Sequence, residues 1–155
     1  MKHWRSYLLA VLAAAAVSLG PFSGSDVAKL EPVEVLAVST EADRVILRTD
    51  TENEGRGNDL QSALADMRKT ASAEIFLETA DYLILTPDCI DLLPELTGML
   101  RPATNVCVSD AELDLGKAAE YFSAHEPECS LQDIRAGMGH IPVLAAEEGR
   151  MELVQ

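Results

Sequence analysis

The sequence predicts an α/β fold: a mixed, partly parallel sheet flanked by helices, with elements in the order ββαβαβααββ. Three observations predict it. The continuous apolar run Tyr82-Leu83-Ile84-Leu85 has the composition of a strand buried on both faces. It feeds directly into Leu92, Leu93, Leu96, Met99 and Leu100, which recur at helical spacing and cover one helix face. Further short strand-like runs lie before and after it, separated by capped helical patterns, as crossover connections require. A chain of 155 residues is long enough for one domain with its own core.

Taken in order, residues 1–25 have the form of a signal segment. Lys2 and Arg5 are the basic start, and residues 7–19 (YLLAVLAAAAVSL) form an apolar run of signal-peptide length, short for a membrane span. Gly20 and Pro21 break the run, and Ser23-Gly24-Ser25 places small residues for cleavage before Asp26. If retained, the segment would act as an anchor. No cysteine follows the run, so no lipid attachment site is expected. The remainder, residues 26–155, reads as a single α/β domain on the extracytoplasmic side, secreted or at the outer face of the cytoplasmic membrane. Membrane association is expected only through an uncleaved signal or through partners.

Residues 33–39 (VEVLAVS) and 44–50 (RVILRTD) read as a hairpin. Residues 51–57 (TENEGRG) are polar and glycine-rich, as in an exposed loop. Their Gly-x-Gly is a weak phosphate-loop signal with no Lys-Ser/Thr after it, so nucleotide binding is not expected. Asn58 with Gln61 suggests a capping box opening a helix over 58–70, with Leu60, Ala63, Leu64 and Met67 inward and Arg68 and Lys69 in the last turn. After the apolar strand, Thr86 at N-cap and Pro87 at the first position open a helix, with Asp88 and Asp91 favouring its positive end and Arg101-Pro102 stopping it. Residues 105–109 form another strand. Ser109 with Glu112 suggests a capped helix carrying Leu115, Ala118, Ala119 and Phe122 and ending near Ala124-His125. Ser130 with Asp133 opens a short helix, with Leu131 and Ile134 inward, that stops at Gly137 and Gly139. Residues 141–145 and 150–154 read as a terminal hairpin around Glu147-Glu148-Gly149.

Acids outnumber bases 26 to 12, and the formal net charge is −14. Removing residues 1–25 takes away two bases and no acids. Such a chain is a poor partner for nucleic acid and for anionic membrane surfaces. The acids are spread along the sequence, the pattern of a solvated surface.

The chemistry-bearing residues are few. Cys89, Cys107 and Cys129 make an odd count without a CxxC. Reduced core thiols are the first reading, one disulfide the second and a metal site a distant third, because no histidine stands at ligand spacing. His125 sits at a helix C-terminus and His140 in a glycine-rich turn, neither with a recognisable nucleophile. Glu78 and Asp81 bracket the central strand, and Asp110, Glu112 and Asp114 cluster at a helix start, where acids serve as ordinary helix stabilisers. No catalytic, cofactor-binding or metal-ligating residue is assigned, no cofactor is expected, and the chain reads as a non-enzyme.

The order of these motifs resembles the N-terminal domain of the Ger(x)C spore germination family, the germinant-receptor C subunit. The resemblance is carried by the strand over 30–39 and by Gly57, Leu60, Ala63 and Leu64 in the form G-x-x-L-x-x-A-L. It continues through IFLETADYLIL, a leucine-rich helix ending in Leu100-Arg101, the strand over 106–109 and Ile141-Pro142-Val143 leading into a hairpin. It spans most of residues 30–155, through motifs that are individually loose. It implies a non-enzymatic protein at the outer face of the inner spore membrane, assembled with two membrane-embedded receptor subunits that sense small nutrients. This sequence departs from the family in lacking the lipobox cysteine, so lipid anchoring is not carried over. It also stops where the family continues into further domains, so membership of a complete receptor is not carried over either.

Two function classes therefore compete. One is a non-catalytic exported domain that binds protein partners near a membrane, in sporulation or germination. The other is a small secreted enzyme or small-molecule-binding protein. A pocket lined by two or more His, Asp, Glu or Cys side chains would favour the second; an exposed apolar patch without such a pocket would favour the first.

Overall fold

In the computed structural model, residues 30–147 and 150–154 are described. The expected signal segment, residues 1–25, and residues 148–149 of the expected terminal turn lie outside them. The described residues form nine strands: β1 (Leu30–Pro32), β2 (Val35–Glu41), β3 (Arg44–Thr49), β4 (Glu54–Gly57), β5 (Glu74–Phe76), β6 (Tyr82–Leu85), β7 (Asn105–Val108), β8 (Val143–Glu147) and β9 (Arg150–Val154). Four α-helices accompany them: α1 (Leu60–Thr70), α2 (Leu93–Leu96), α3 (Leu115–Phe122) and α4 (Leu131–Arg135).

Seven strands form one mixed sheet in the order β4-β3-β2-β6-β7-β8-β9, and β1 pairs with β5 in a parallel two-stranded sheet. Strands β2, β6, β7 and β8 run parallel, while β3 pairs antiparallel to β2, β4 antiparallel to β3 and β9 antiparallel to β8. All four residues of β6 are buried, as expected of a strand between two parallel neighbours with both faces covered.

The period of two along the strands divides the core into two layers. Leu36, Val38, Leu83, Leu85, Val106 and Val108 point to one face, where Leu60, Leu64 and Met67 of α1, Leu93 and Leu96 of α2, and Leu131 of α4 cover them. Val35, Tyr82, Ile84, Cys107 and Leu144 point to the other, under Leu115, Ala118, Ala119 and Phe122 of α3. The fold is thus the expected mixed α/β sheet with helices on both faces.

Several local expectations are corrected. Residues 51–57 are not all loop, because Glu54–Gly57 is the edge strand β4. Its polar composition hides it, and its glycines explain it. A Cβ on Gly55 would stand 2.2 Å from the Ala63 carbonyl oxygen, and one on Gly57 would stand 2.2 Å from the Ala63 nitrogen. The Gly-x-Gly therefore lets α1 lie directly on β4. Helix α1 also closes the outer edge of the strand: the Arg56 N–H donates to Asp66 Oδ2 (3.1 Å) and Thr70 Oγ1 donates to the Glu54 carbonyl (3.4 Å).

The capping box of α1 falls one residue later than Asn58 and Gln61. Asp59 is the N-cap, its Oδ1 accepting from the Ser62 N–H (2.7 Å) while Ser62 Oγ accepts from the Asp59 N–H (3.1 Å). The single helix expected over 86–101 is a 3₁₀ segment, Pro87–Leu92, followed by the one-turn α2. Pro87 and Pro94 lack an N–H and limit continuous α-helical bonding, yet Cys89, Leu93, Leu96 and Leu100 still face the core. Thr86 and Pro87 take the N-cap and first helical positions as expected, but the Thr86 side chain makes no capping hydrogen bond; its hydroxyl donates to Cys89 Sγ (3.3 Å) instead.

Ser109 does not cap α3. It is buried and donates to the Leu144 carbonyl (2.7 Å), tying β7 to β8, and Asp114 is the N-cap instead, accepting from the Lys117 N–H. The Ser130 and Asp133 capping box is formed as expected, with Ser130 Oγ and Asp133 Oδ2 2.6 Å apart. Strands β1 and β5 had no separate signal; three residues are too few to show a period.

Candidate crevice at the carboxyl ends of the parallel strands

At its carboxyl end β6 leads to the 3₁₀ segment and α2 on one face of the sheet, whereas neighbouring β7 leads through residues 109–114 to α3 on the other. The two connections part, and a crevice opens where they do. Open α/β sheets bind ligands at this kind of position.

The crevice occupies about 220 Å³ on the α3 side of the sheet. Ala37, Ile84, Leu113 and Leu115 form its apolar floor and wall, with Thr86, Ser109, Asp110, Glu112 and Arg48 around them. It continues past Arg48 into a broader groove bounded by Asp50, Glu52, Glu54, Glu112 and Asp114. Among the described residues, Arg48 is the only basic one lining either part.

Each side chain is placed for a local reason. Arg48 pairs across the ladder with Ala37, so it shares the face that α3 covers. Its guanidinium lies 4.0 Å from Glu112 Oε1, and the Glu112 side chain is 90% exposed. A pair that long and that wet adds little stability, so the guanidinium is available to another group. Asp50 is committed to structure: its Oδ1 accepts from the Glu34 and Val35 N–H groups. Asp114 caps α3, and the Lys117 N–H that it accepts holds its carboxyl below the usual aspartate range.

The remaining candidates are scattered. Cys89, Cys107 and Cys129 are buried free thiols. Burial pushes Cys107 up to about 12 and raises Cys129, with Asp133 adding to the latter, so both hold their protons at neutral pH. Cys89 has Thr40 Oγ1 at 3.0 Å and Thr86 Oγ1 at 3.3 Å. His125 is exposed beyond the end of α3 farthest from the crevice and stacks on Tyr121 with ring centroids 4.5 Å apart. His140 is exposed in the turn after Gly139. Asp81 forms an ion pair with Arg101, and Glu78 is exposed in a 3₁₀ turn, Leu77–Thr79. Among the described residues no group of three or more His, Cys, Asp or Glu could hold a metal ion.

The structure therefore brings Asp110, Glu112 and Asp114 to one crevice and leaves the thiols and histidines out of it. Sequence reasoning missed Arg48, the cation at its centre. The available signal was an arginine inside the strand-like run of 44–50, where the alternation should place an apolar residue on any face that is fully covered. No helix among the described residues is long and apolar enough to cross a membrane. Comparisons with family models, with curated proteins and with solved structures returned no match.

Proposed function

We propose that this chain is an exported, non-catalytic α/β domain that binds a protein partner, with the crevice around Arg48 as the contact surface. The observation that carries the reading is the parting of the β6 and β7 connections, which leaves Ala37, Ile84 and Leu113 beneath an arginine that is only weakly paired. Interface cores combine apolar contacts with arginine, which is enriched there and among the residues that dominate binding. Against catalysis stand the positions of the reactive groups: neither histidine lines the crevice, and burial keeps the Cys107 and Cys129 thiols protonated. The partner class to test first is the membrane-embedded receptor subunit that the Ger(x)C resemblance implies.

A second reading is a small-molecule site at the same crevice: its lining by Asp110 and Glu112 meets the condition stated above for that class, but both side chains are exposed and no histidine or thiol lines the crevice with them. A photo-crosslinker at Ala111, on the crevice rim, tests the first. Expected is capture of a defined membrane protein in the native envelope, reduced by Arg48→Glu without loss of folding. Capture that ignores Arg48→Glu would refute the assignment of the crevice. Turnover on ester, peptide, phosphate or glycoside substrates that disappears on replacing His125 or His140 would refute the non-catalytic reading.

A further inference from the structure

The two edges of the seven-stranded sheet differ. The β4 edge is closed by Asp66 and Thr70 of α1. The β9 edge is largely open, and its hydrogen-bonding phase can be read from two contacts. The Leu153 N–H donates to Tyr121 Oη (3.0 Å), so it points away from β8. The Leu144 carbonyl accepts from Ser109 Oγ, so it points away from β9. Leu144 and Leu153 face each other in the ladder and so form a non-hydrogen-bonded pair. Hence Arg150, Glu152 and Val154 bond inward to β8, while Met151 and Leu153 present their backbone groups outward. Tyr121 already occupies the Leu153 N–H, which leaves the Met151 N–H and carbonyl as the open pair.

We propose that β9 pairs antiparallel with β9 of a second copy of this chain, in the register that sets Met151 opposite Met151 about a two-fold axis. Charge selects both the partner and the register. Centred on Met151, the neighbouring non-hydrogen-bonded pairs are Arg150 with Glu152 of the second copy and the reverse. These are two ion pairs at the closer cross-strand spacing. The register one step away, centred on Glu152, would place two glutamates opposite each other and would need the Leu153 N–H that Tyr121 holds. Arg150 and Glu152 are both exposed, and neither forms an ion pair among the described residues. They lie on the hairpin face that also exposes Val143 (45%) and Val154 (55%), a pair across the ladder. That apolar surface borders the new strand pair.

The test is sedimentation of the protein, as its host exports it, over a range from micromolar to near-millimolar. A reversible dimer is expected. Arg150→Glu and Glu152→Lys each turn both ion pairs into like-charge contacts and are expected to raise the dimer Kd about tenfold or more. Arg150→Glu combined with Glu152→Lys restores the pairing with reversed signs and is expected to restore the dimer. All three changes are on exposed side chains, and far-UV circular dichroism checks that each variant is folded. A monomer at every concentration overturns the proposal, and that includes the case in which β9 accepts only a foreign strand. A dimer indifferent to the single changes, or one that the double change fails to rescue, overturns it equally.

Discussion

Replacing Gly55 by alanine is expected to destabilise this protein about as much as the milder core truncations, although it adds only one methyl group. The added Cβ would stand 2.2 Å from the Ala63 carbonyl oxygen, 2.5 Å from Met67 Cβ and 2.6 Å from the Met67 nitrogen. Two of these are backbone atoms of α1 and the third is fixed to its backbone, so no rotamer change relieves the clash. The helix would have to move about 1 Å off β4 to restore van der Waals contact. That motion would loosen Leu60, Ala63, Leu64 and Met67, all of them buried. Overpacking of a core costs about 1–3 kcal/mol, and an immovable neighbour puts this case near the top of that range. Relief of glycine's backbone entropy returns about 0.5–1 kcal/mol, leaving a net loss of about 2 kcal/mol. Urea unfolding followed by circular dichroism measures it. With a slope of about 1–3 kcal/mol per molar, the midpoint should fall by about 1 M. Gly116→Ala is the control. Its Cβ would meet Asp114 Oδ1 at an ordinary 3.5 Å in the first turn of α3, so helix propensity predicts a gain of up to about 1 kcal/mol. A Gly55→Ala midpoint within experimental error of the parent protein would refute the argument that glycine is required for the β4–α1 contact.

Leu85, fully buried at the carboxyl end of β6, should cost about 2–5 kcal/mol when cut to alanine; a loss below about 1 kcal/mol would mean that β6 is not the centre of the core. Cys107 has its folded value raised from 9.0 to about 12, so the folded state holds a proton that the unfolded state gives up. Its contribution is complete below pH 9 and is lost as pH rises toward 12, at about 1.4 kcal/mol per pH unit. Alkaline unfolding should therefore be less steep in Cys107→Ala than in the parent protein, and identical slopes would show that the thiol is not shielded.

How much of this was legible in the sequence depended on the length and period of each signal. The strand 82–85 and the stripe of α1 stood out because four consecutive apolar residues, or four at helical spacing, leave few alternatives. The capping box at Ser130 was readable because the motif is short and local. The same motif misled at Ser109, whose hydroxyl is drawn to a carbonyl 35 residues away. Nothing local distinguishes the two serines. Strand β4 was read as loop because its alternate positions are glycines facing a helix, and glycine carries no hydropathy signal. The crevice was the least legible part. Its residues come from β2, β3, β6 and the segment after β7, and only the register of the strands brings Arg48 over Ala37 and beside Glu112.

The glycine-seated contact of α1 on β4 also bears on the order in which the chain assembles. Residues 35–70 contain three antiparallel strands and the helix that closes their edge, all joined by connections of a few residues. Pairings within this block span short loops and lose little closure entropy. Strand β2 must instead wait for a partner on its other side, since Val35 pairs with Tyr82, 47 positions away (82 − 35). The block is therefore placed to form first and to hold β2 as a template for β6. Pulsed hydrogen exchange during refolding tests this, and equally early protection of β7 would contradict it. In a chain made from its N-terminus, such a block can be complete before β7 to β9 have been synthesised, with one strand still offering its free side to the half of the sheet made later.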